Sequence, residues 1–252
     1  MTVHTEIRGG VLIVTIDRPE VKNAIDTATA QAIADAMDQL DREPELVASV
    51  LTGAGGTFCA GMDLKAFLAG ERPSIDGRGF AGIAQTPPAK PVIAAVEGHA
   101  IAGGFEIVLA CDLVVASETA VFGLPEVKRG LLAGGGGLLR LPERVPYALG
   151  LEWALTGDLV TAEQAREAGL ISRLTPKGDA LGVAVGLAER IAKNGPLAVR
   201  GTKEIWTRAR DWSNDERFER MWEIYEPIRS SEDAREGATA FREKRAPVWK
   251  GR

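Results

Sequence analysis

Apolar and polar residues alternate through "VHTEIRGGVLIVTID", residues 3–17, on either side of the Gly9-Gly10 step. This period of two predicts an antiparallel hairpin that stops at Arg18-Pro19. The period then lengthens: Ile33, Met37 and Leu40 are spaced by four and three in "TATAQAIADAMDQLDRE", so this stretch is a helix with one buried face, and Asp26 stands ready to cap it. "LVASVLTG" reads as a short strand, "GAGGTFCAG" as a Gly-rich loop, and a second helical stretch opens at Met62. Residues 70–90 are rich in Gly, Pro and charge, which predicts an exposed, mobile segment. "PVIAAVEG" follows as a buried strand, "IAGGFEIVLACD" as a helix, "LVVAS" and "AVFG" as two strands, and residues 134–140 as a Gly-rich entry into a helix. The succession is strand, strand, helix rather than the regular alternation of a doubly wound sheet, and the fold class is α/β.

From Asp179 onward the pattern is helical, with an amphipathic stretch at "PLAVRGTKEIWTRARD" and further helices through "FERMWEIYEPI" and "DAREGATAFREKR". Trp206, Trp212 and Trp222 lie in this helical region. That aromatic surface fits either packing onto another subunit or an ordinary intrachain core.

One stretch is anomalous. Ten of the twelve residues of "IAGGFEIVLACD" are apolar or Gly, yet Glu106 sits among them. Burying a lone carboxylate raises its pKa or costs several kcal/mol. Glu106 is therefore either a first-turn acid favoured by the helix dipole or a group that the site uses. Glu126, after Pro125 in "FGLPE", is the second acid of interest, with a solvated loop acid as the plain alternative.

Composition narrows the classes. The chain has 252 residues, 45% hydrophobic and 26% charged, enough to bury a core, with a formal net charge of −5 that argues against nucleic-acid binding. Cys59 and Cys111 have no CxxC spacing, so neither a disulfide framework nor a metal site is suggested and a cytoplasmic setting is expected; no long apolar run or basic-then-apolar leader marks a membrane segment. "GRGFAG" at residues 77–82 matches a dinucleotide-binding pattern by letter but follows no buried strand. His99, with no partner nearby in sequence, reads as a turn or core residue.

Three segments combine into a catalytic constellation. "FCAGMDLK" turns at Gly61 into a helix whose first amides lack intrahelical acceptors and can hold an oxyanion. "AGGFE" opens the next helix with Gly103 and Gly104, which let a ligand approach the main chain closely. "FGLPE" supplies the second carboxyl.

"FCAGMDL", "GHAIAGGFEIVLACDLVVAS", "AVFGLPEVKRGL" and "EGATAFREKR" occur in order across most of the chain, which resembles the enoyl-CoA hydratases of the crotonase superfamily. The resemblance implies a spiral of repeated strand-strand-helix units over residues 1–190, carrying the active site, and a helical region over residues 191–252 that assembles trimers or paired trimers. It implies that the amides of Met62 and Gly103 hold a thioester oxygen, and that Glu106 and Glu126 handle the water added across a 2-enoyl-CoA double bond, with Glu126 delivering a proton to C2. Gly134 then lies near that water, Ala24, Ala60, Asp63, Leu64 and Lys65 follow the CoA chain, and Phe241 and Lys244 reach toward the adenine. No metal is implied, and no cofactor beyond the CoA of the substrate. Two carboxyls at one water predict a raised pKa for one of them.

Other readings of the same residues are a different reaction on this scaffold, such as carnitinyl-CoA-type dehydration or double-bond isomerisation, and a non-catalytic acyl-CoA binder. The Gly134 to Gly137 run departs from the usual hydratase pattern, while "LLRLPERVP" is similar to the carnitinyl-CoA group.

Overall fold

The computed structural model describes residues 2–252. The hairpin forms as expected from β1 (Val3–Arg8) and β2 (Val11–Ile16), and α1 (Thr27–Arg42) follows, its first turn capped by Asp26, whose carboxylate accepts the Thr29 N–H. The chain continues through β3 (Ala48–Gly53), α2 (Leu64–Leu68), β4 (Ser74–Ile75), β5 (Gly79–Phe80), β6 (Val92–Val96), β7 (His99–Ile101) and α3 (Gly103–Ala110). Next come β8 (Leu113–Ser117), β9 (Val121–Gly123), a 3-10 turn at Pro125–Arg129, α4 (Gly137–Arg144), α5 (Tyr147–Thr156), β10 (Val160–Thr161), α6 (Ala162–Glu167) and β11 (Arg173–Thr175). The remainder is helical: α7 (Ala180–Ala192), α8 (Pro196–Arg208), α9 (Arg217–Arg229) and α10 (Glu232–Glu243).

A six-stranded sheet in the order β1-β2-β3-β6-β8-β11 forms the frame, antiparallel only between β1 and β2. Both faces are covered, so β2 and β3 read as near-continuous apolar runs, as buried parallel strands do. On one face Val11, Ile13, Val50 and Val115 pack against Ala184, Val185 and Ala188 of α7. On the other, Leu12, Val14, Leu51 and Ala94 meet Ile33, Met37 and Leu40 of α1 and the apolar residues of α3.

Three expectations change. Residues 70–90 are not simply exposed: Ala81, Ile83 and Ala84 are buried, because Gly82, at φ +70°, lies so close to α1 that a Cβ there would fall 2.4 Å from the Ala30 oxygen. His99 is neither turn nor core: it stands on β7 with its side chain exposed. Trp206 and Trp222, 80% and 50% exposed, are not core of their own chain either. No described helix is long and apolar enough to cross a membrane.

Candidate active site

A second, smaller sheet positions the site. β7 runs parallel to β9, with Ile101 opposite Gly123, and the 58–60 segment runs parallel to β7 through a bridge between Cys59 and Ala100. Three parallel segments therefore end at one level. The residues just beyond those ends are Met62, then Gly103 to Glu106, then Glu126. Binding crevices in α/β proteins lie at such carboxyl ends.

The turns are in contact. Gly61 has φ +98°, which a side chain would strain, and a Cβ there would sit 3.0 Å from the Gly103 nitrogen. Gly104 is tighter still, since its Cβ would fall 2.1 Å from the Cys59 carbonyl oxygen. Ala102 is held at φ +53° and ψ −127°, a sparsely populated conformation costing about 1–3 kcal/mol. Its N–H donates to the Gly123 oxygen at 2.9 Å, so the neighbouring strand fixes this strained residue and thereby aims the Gly103 amide. Neither the Met62 nor the Gly103 N–H donates to an acceptor among the described residues, whereas the flanking Asp63 N–H donates to Ile25.

Glu106 is buried, 4% exposed, in the first turn of α3. The Gly137 N–H at the start of α4 donates to its Oε1 at 2.9 Å. A Cβ on Gly135 would fall 2.7 Å from Oε2 and one on Gly137 3.0 Å from Oε1, so main chain lies directly on the carboxylate. Burial pushes the Glu106 pKa up, opposed by the Gly137 and Gly135 amides and by Arg140. Glu126 is half-buried, and its Oε2 is inaccessible with no hydrogen-bond partner among the described residues. Burial raises its pKa as well, and the nearby Glu106 adds to the rise while Arg129 opposes it. Both acids shift upward, where the sequence predicts it of one.

Ala60, Met62, Leu64, Gly103, Glu106, Glu126 and Gly134 all line one cavity of about 920 Å³. Ala24, Asp63, Lys65, Phe241 and Lys244 do not line it. The Asp63 carboxylate is engaged elsewhere: it caps α2 through the Lys65 and Ala66 amides and pairs with Arg18 at 3.0 Å, and Arg18 also pairs with Asp26. Phe241 projects from α10, 88% exposed, and Lys244 is the left-handed C-cap of that helix.

Sequence reasoning missed several contributors. Phe80 packs its ring edge over Gly103, where a Cβ would meet it at 2.5 Å, and Arg140 lies against Gly136, whose Cβ would sit 2.5 Å from its guanidinium. The "GRGFAG" stretch that holds Phe80 lacks the strand-turn-helix setting of a dinucleotide-binding turn, since a two-residue strand and no helix follows its first glycine. The Gly run signalled close approach of main chain to something; that the something is Glu106, 31 residues earlier, is a tertiary fact.

Two amides without acceptors among the described residues stand beside one buried and one half-buried carboxyl, an arrangement whose chemistry suits an oxyanion with proton transfer next to it. A family model described as Enoyl-CoA hydratase/isomerase matches residues 6–252. The chain belongs to that family. A carnitinyl-CoA dehydratase of Proteus mirabilis is 40% identical over 259 aligned residues, spanning 100% of this chain and 99% of the relative. The crystal structure of an enoyl-CoA hydratase from Mycobacterium marinum is 56% identical with a TM-score of 0.98, covering 100% of this chain and 99% of that one. A carnitinyl-CoA hydratase structure from Mycobacterium avium is 45% identical with a TM-score of 0.79, covering 100% and 99%.

Proposed function

We propose that this enzyme adds water reversibly to a 2-enoyl-CoA, giving the 3-hydroxyacyl-CoA. The observation that carries the reading is the contact between the Gly61–Met62 and Gly103 turns beside Glu106 and Glu126. Attack of water on C3 builds enolate charge on the thioester oxygen, and fixed amides of Met62 and Gly103 stabilise that charge more than the neutral carbonyl. The attacking water gives one proton to an ionised carboxylate, for which Glu106 is suited because the Gly137 and Gly135 amides and Arg140 favour its charged form. Glu126, whose inaccessible Oε2 has no hydrogen-bond partner among the described residues and whose pKa the neighbouring Glu106 also raises, carries the proton delivered to C2, which closes the balance of one water consumed. The chemistry requires no metal and no group beyond the CoA already on the substrate.

A second reading is dehydration of a carnitinyl-CoA, favoured by the names of the curated relatives at 40–41% identity over the whole chain. It uses the same acid–base pair in reverse on a different acyl group. The exposed aromatic residues of α8 to α10 support assembly into trimers or paired trimers, and the division at residue 190 into a site-bearing core and an assembly region belongs to that same proposal.

The test follows loss of conjugated-thioester absorbance with crotonyl-CoA. Wild type is expected to consume it and Glu126→Gln to slow it by about 10²–10⁴, the range for positioned proton transfer. Equal rates for the two proteins would refute the assignment. Binding without turnover in wild type would point to an acyl-CoA binder instead.

A further inference from the structure

Three arginines line the catalytic cavity, Arg72, Arg129 and Arg140, and none of them pairs with a carboxylate among the described residues. The third acid lining the cavity, Glu143, is taken by Arg210. Arg129 is the most telling. It lies three residues after Glu126 in the 3-10 turn, and in such a turn residues i and i+3 eclipse, about 6 Å apart along the axis at about 2.0 Å per residue. Both side chains therefore stand on the face that borders the cavity. Its one hydrogen bond, to the Pro125 oxygen, is long at 3.4 Å.

We infer that Arg129 is a specificity-determining residue whose guanidinium takes an anionic oxygen group of the substrate: a carboxylate at the far end of the acyl chain, or a phosphate of the CoA. Arg72 and Arg140 add positive charge to the same cavity. An acyl group ending in a quaternary ammonium is disfavoured there. Of the acids in the lining, Glu106 and Glu126 are assigned to the proton transfers and Glu143 is paired with Arg210, so such a group meets three guanidiniums and, as aromatic surface, only Phe67 and Phe80, with neither Trp nor Tyr to make a cage. The inference rests on the enoyl-CoA reading and narrows it away from the carnitinyl alternative.

The test compares wild type, Arg129→Ala and Arg129→Lys on four thioesters: 2-hexenedioyl-CoA, 2-hexenoyl-CoA, crotonobetainyl-CoA and 2-hexenoyl-pantetheine. With an acyl carboxylate on Arg129, Arg129→Ala lowers kcat/KM for 2-hexenedioyl-CoA relative to 2-hexenoyl-CoA by about 10- to 100-fold, the worth of a hydrogen bond to a charged group, and Lys restores part of it. With a phosphate on Arg129, the CoA thioesters fall together relative to the pantetheine thioester. Either pattern supports the inference, and crotonobetainyl-CoA is expected to be the poorest CoA substrate of wild type. Ratios that do not move in Arg129→Ala, or crotonobetainyl-CoA as the best substrate, would overturn it. Calorimetric Kd values for the unreactive adipoyl-CoA, hexanoyl-CoA and hexanoyl-pantetheine separate this result from failure of the hydration reading. Should wild type consume no enoyl thioester, the same ratios in binding still decide the role of Arg129.

Discussion

Gly104→Ala tests the geometry at its tightest point. The added Cβ would lie 2.1 Å from the Cys59 carbonyl oxygen and 2.8 Å from its carbon, both main-chain atoms that cannot rotate away. Ordinary contact begins near 3.4 Å, so α3 and the 58–60 segment must separate by roughly 1 Å. Those two elements carry the Gly103 and Met62 amides, and the displacement opens the pair that one oxygen has to bridge. Misplacement of about 1 Å costs about 10²-fold, and complete loss of one donor about 10²–10³-fold. Turnover of crotonyl-CoA is therefore expected to fall about 10²- to 10³-fold. Overpacking also costs stability, about 1–3 kcal/mol, or a Tm drop of roughly 2–12 °C at about 2–4 °C per kcal/mol for a chain this size. The assay pairs the steady-state rate with a thermal melt, so that lost activity is read on folded protein. A Gly104→Ala enzyme with wild-type turnover and wild-type Tm would refute the claim that these two turns are in enforced contact.

Other consequences follow from the same structure. Burial raises the pKa of Glu106 and Glu126, so the penalty for their charge is absent below the ordinary carboxylate range and grows as pH rises through their elevated values. Glu106→Gln is thus expected to raise Tm at pH 8 with the gain vanishing near pH 4, while turnover falls at least about 10²-fold; a Tm gain largest at low pH would reverse the assignment. Lys203 donates to the Asp112 carboxylate at 2.6 Å and to the Lys90 oxygen, tying α8 to the end of α3 with little exposure of either side chain. Lys203→Met is expected to cost about 2–3 kcal/mol in urea melts, less than the about 3–5 of a fully buried pair because Asp112 keeps the Val92 N–H. Gly182 and Gly186 lie within α7 with open space where a Cβ would go, so Gly→Ala at each is expected to raise stability by about 0.5–1 kcal/mol in the same assay.

Much of the frame is legible in the sequence because it is written locally. The hairpin at Gly9-Gly10, the Asp26 cap and the apolar spacing of α1 depend on neighbours a few residues away. Glu106 betrays itself by polarity in an apolar helix. What is not legible is set by distant main chain. The burial of Ala81 and Ile83 follows from where Gly82 meets α1, and no local composition announces it. Asp63, read as following the CoA chain, has its carboxylate committed to Arg18 across 45 residues. Arg140 enters the cavity only because α4 starts at Gly137 with its first amide on Glu106. Arg129 could have been found from the sequence alone by asking which residue follows Glu126 at a spacing of three.

The most direct measurement is a crystal structure with an unreactive acyl-CoA such as butyryl-CoA. The account predicts the thioester oxygen within about 2.7–3.2 Å of both the Met62 and the Gly103 nitrogen, with the acyl C2 and C3 between the carboxyls of Glu106 and Glu126. A thioester oxygen bound to neither amide, or an acyl chain directed away from those two acids, would contradict it.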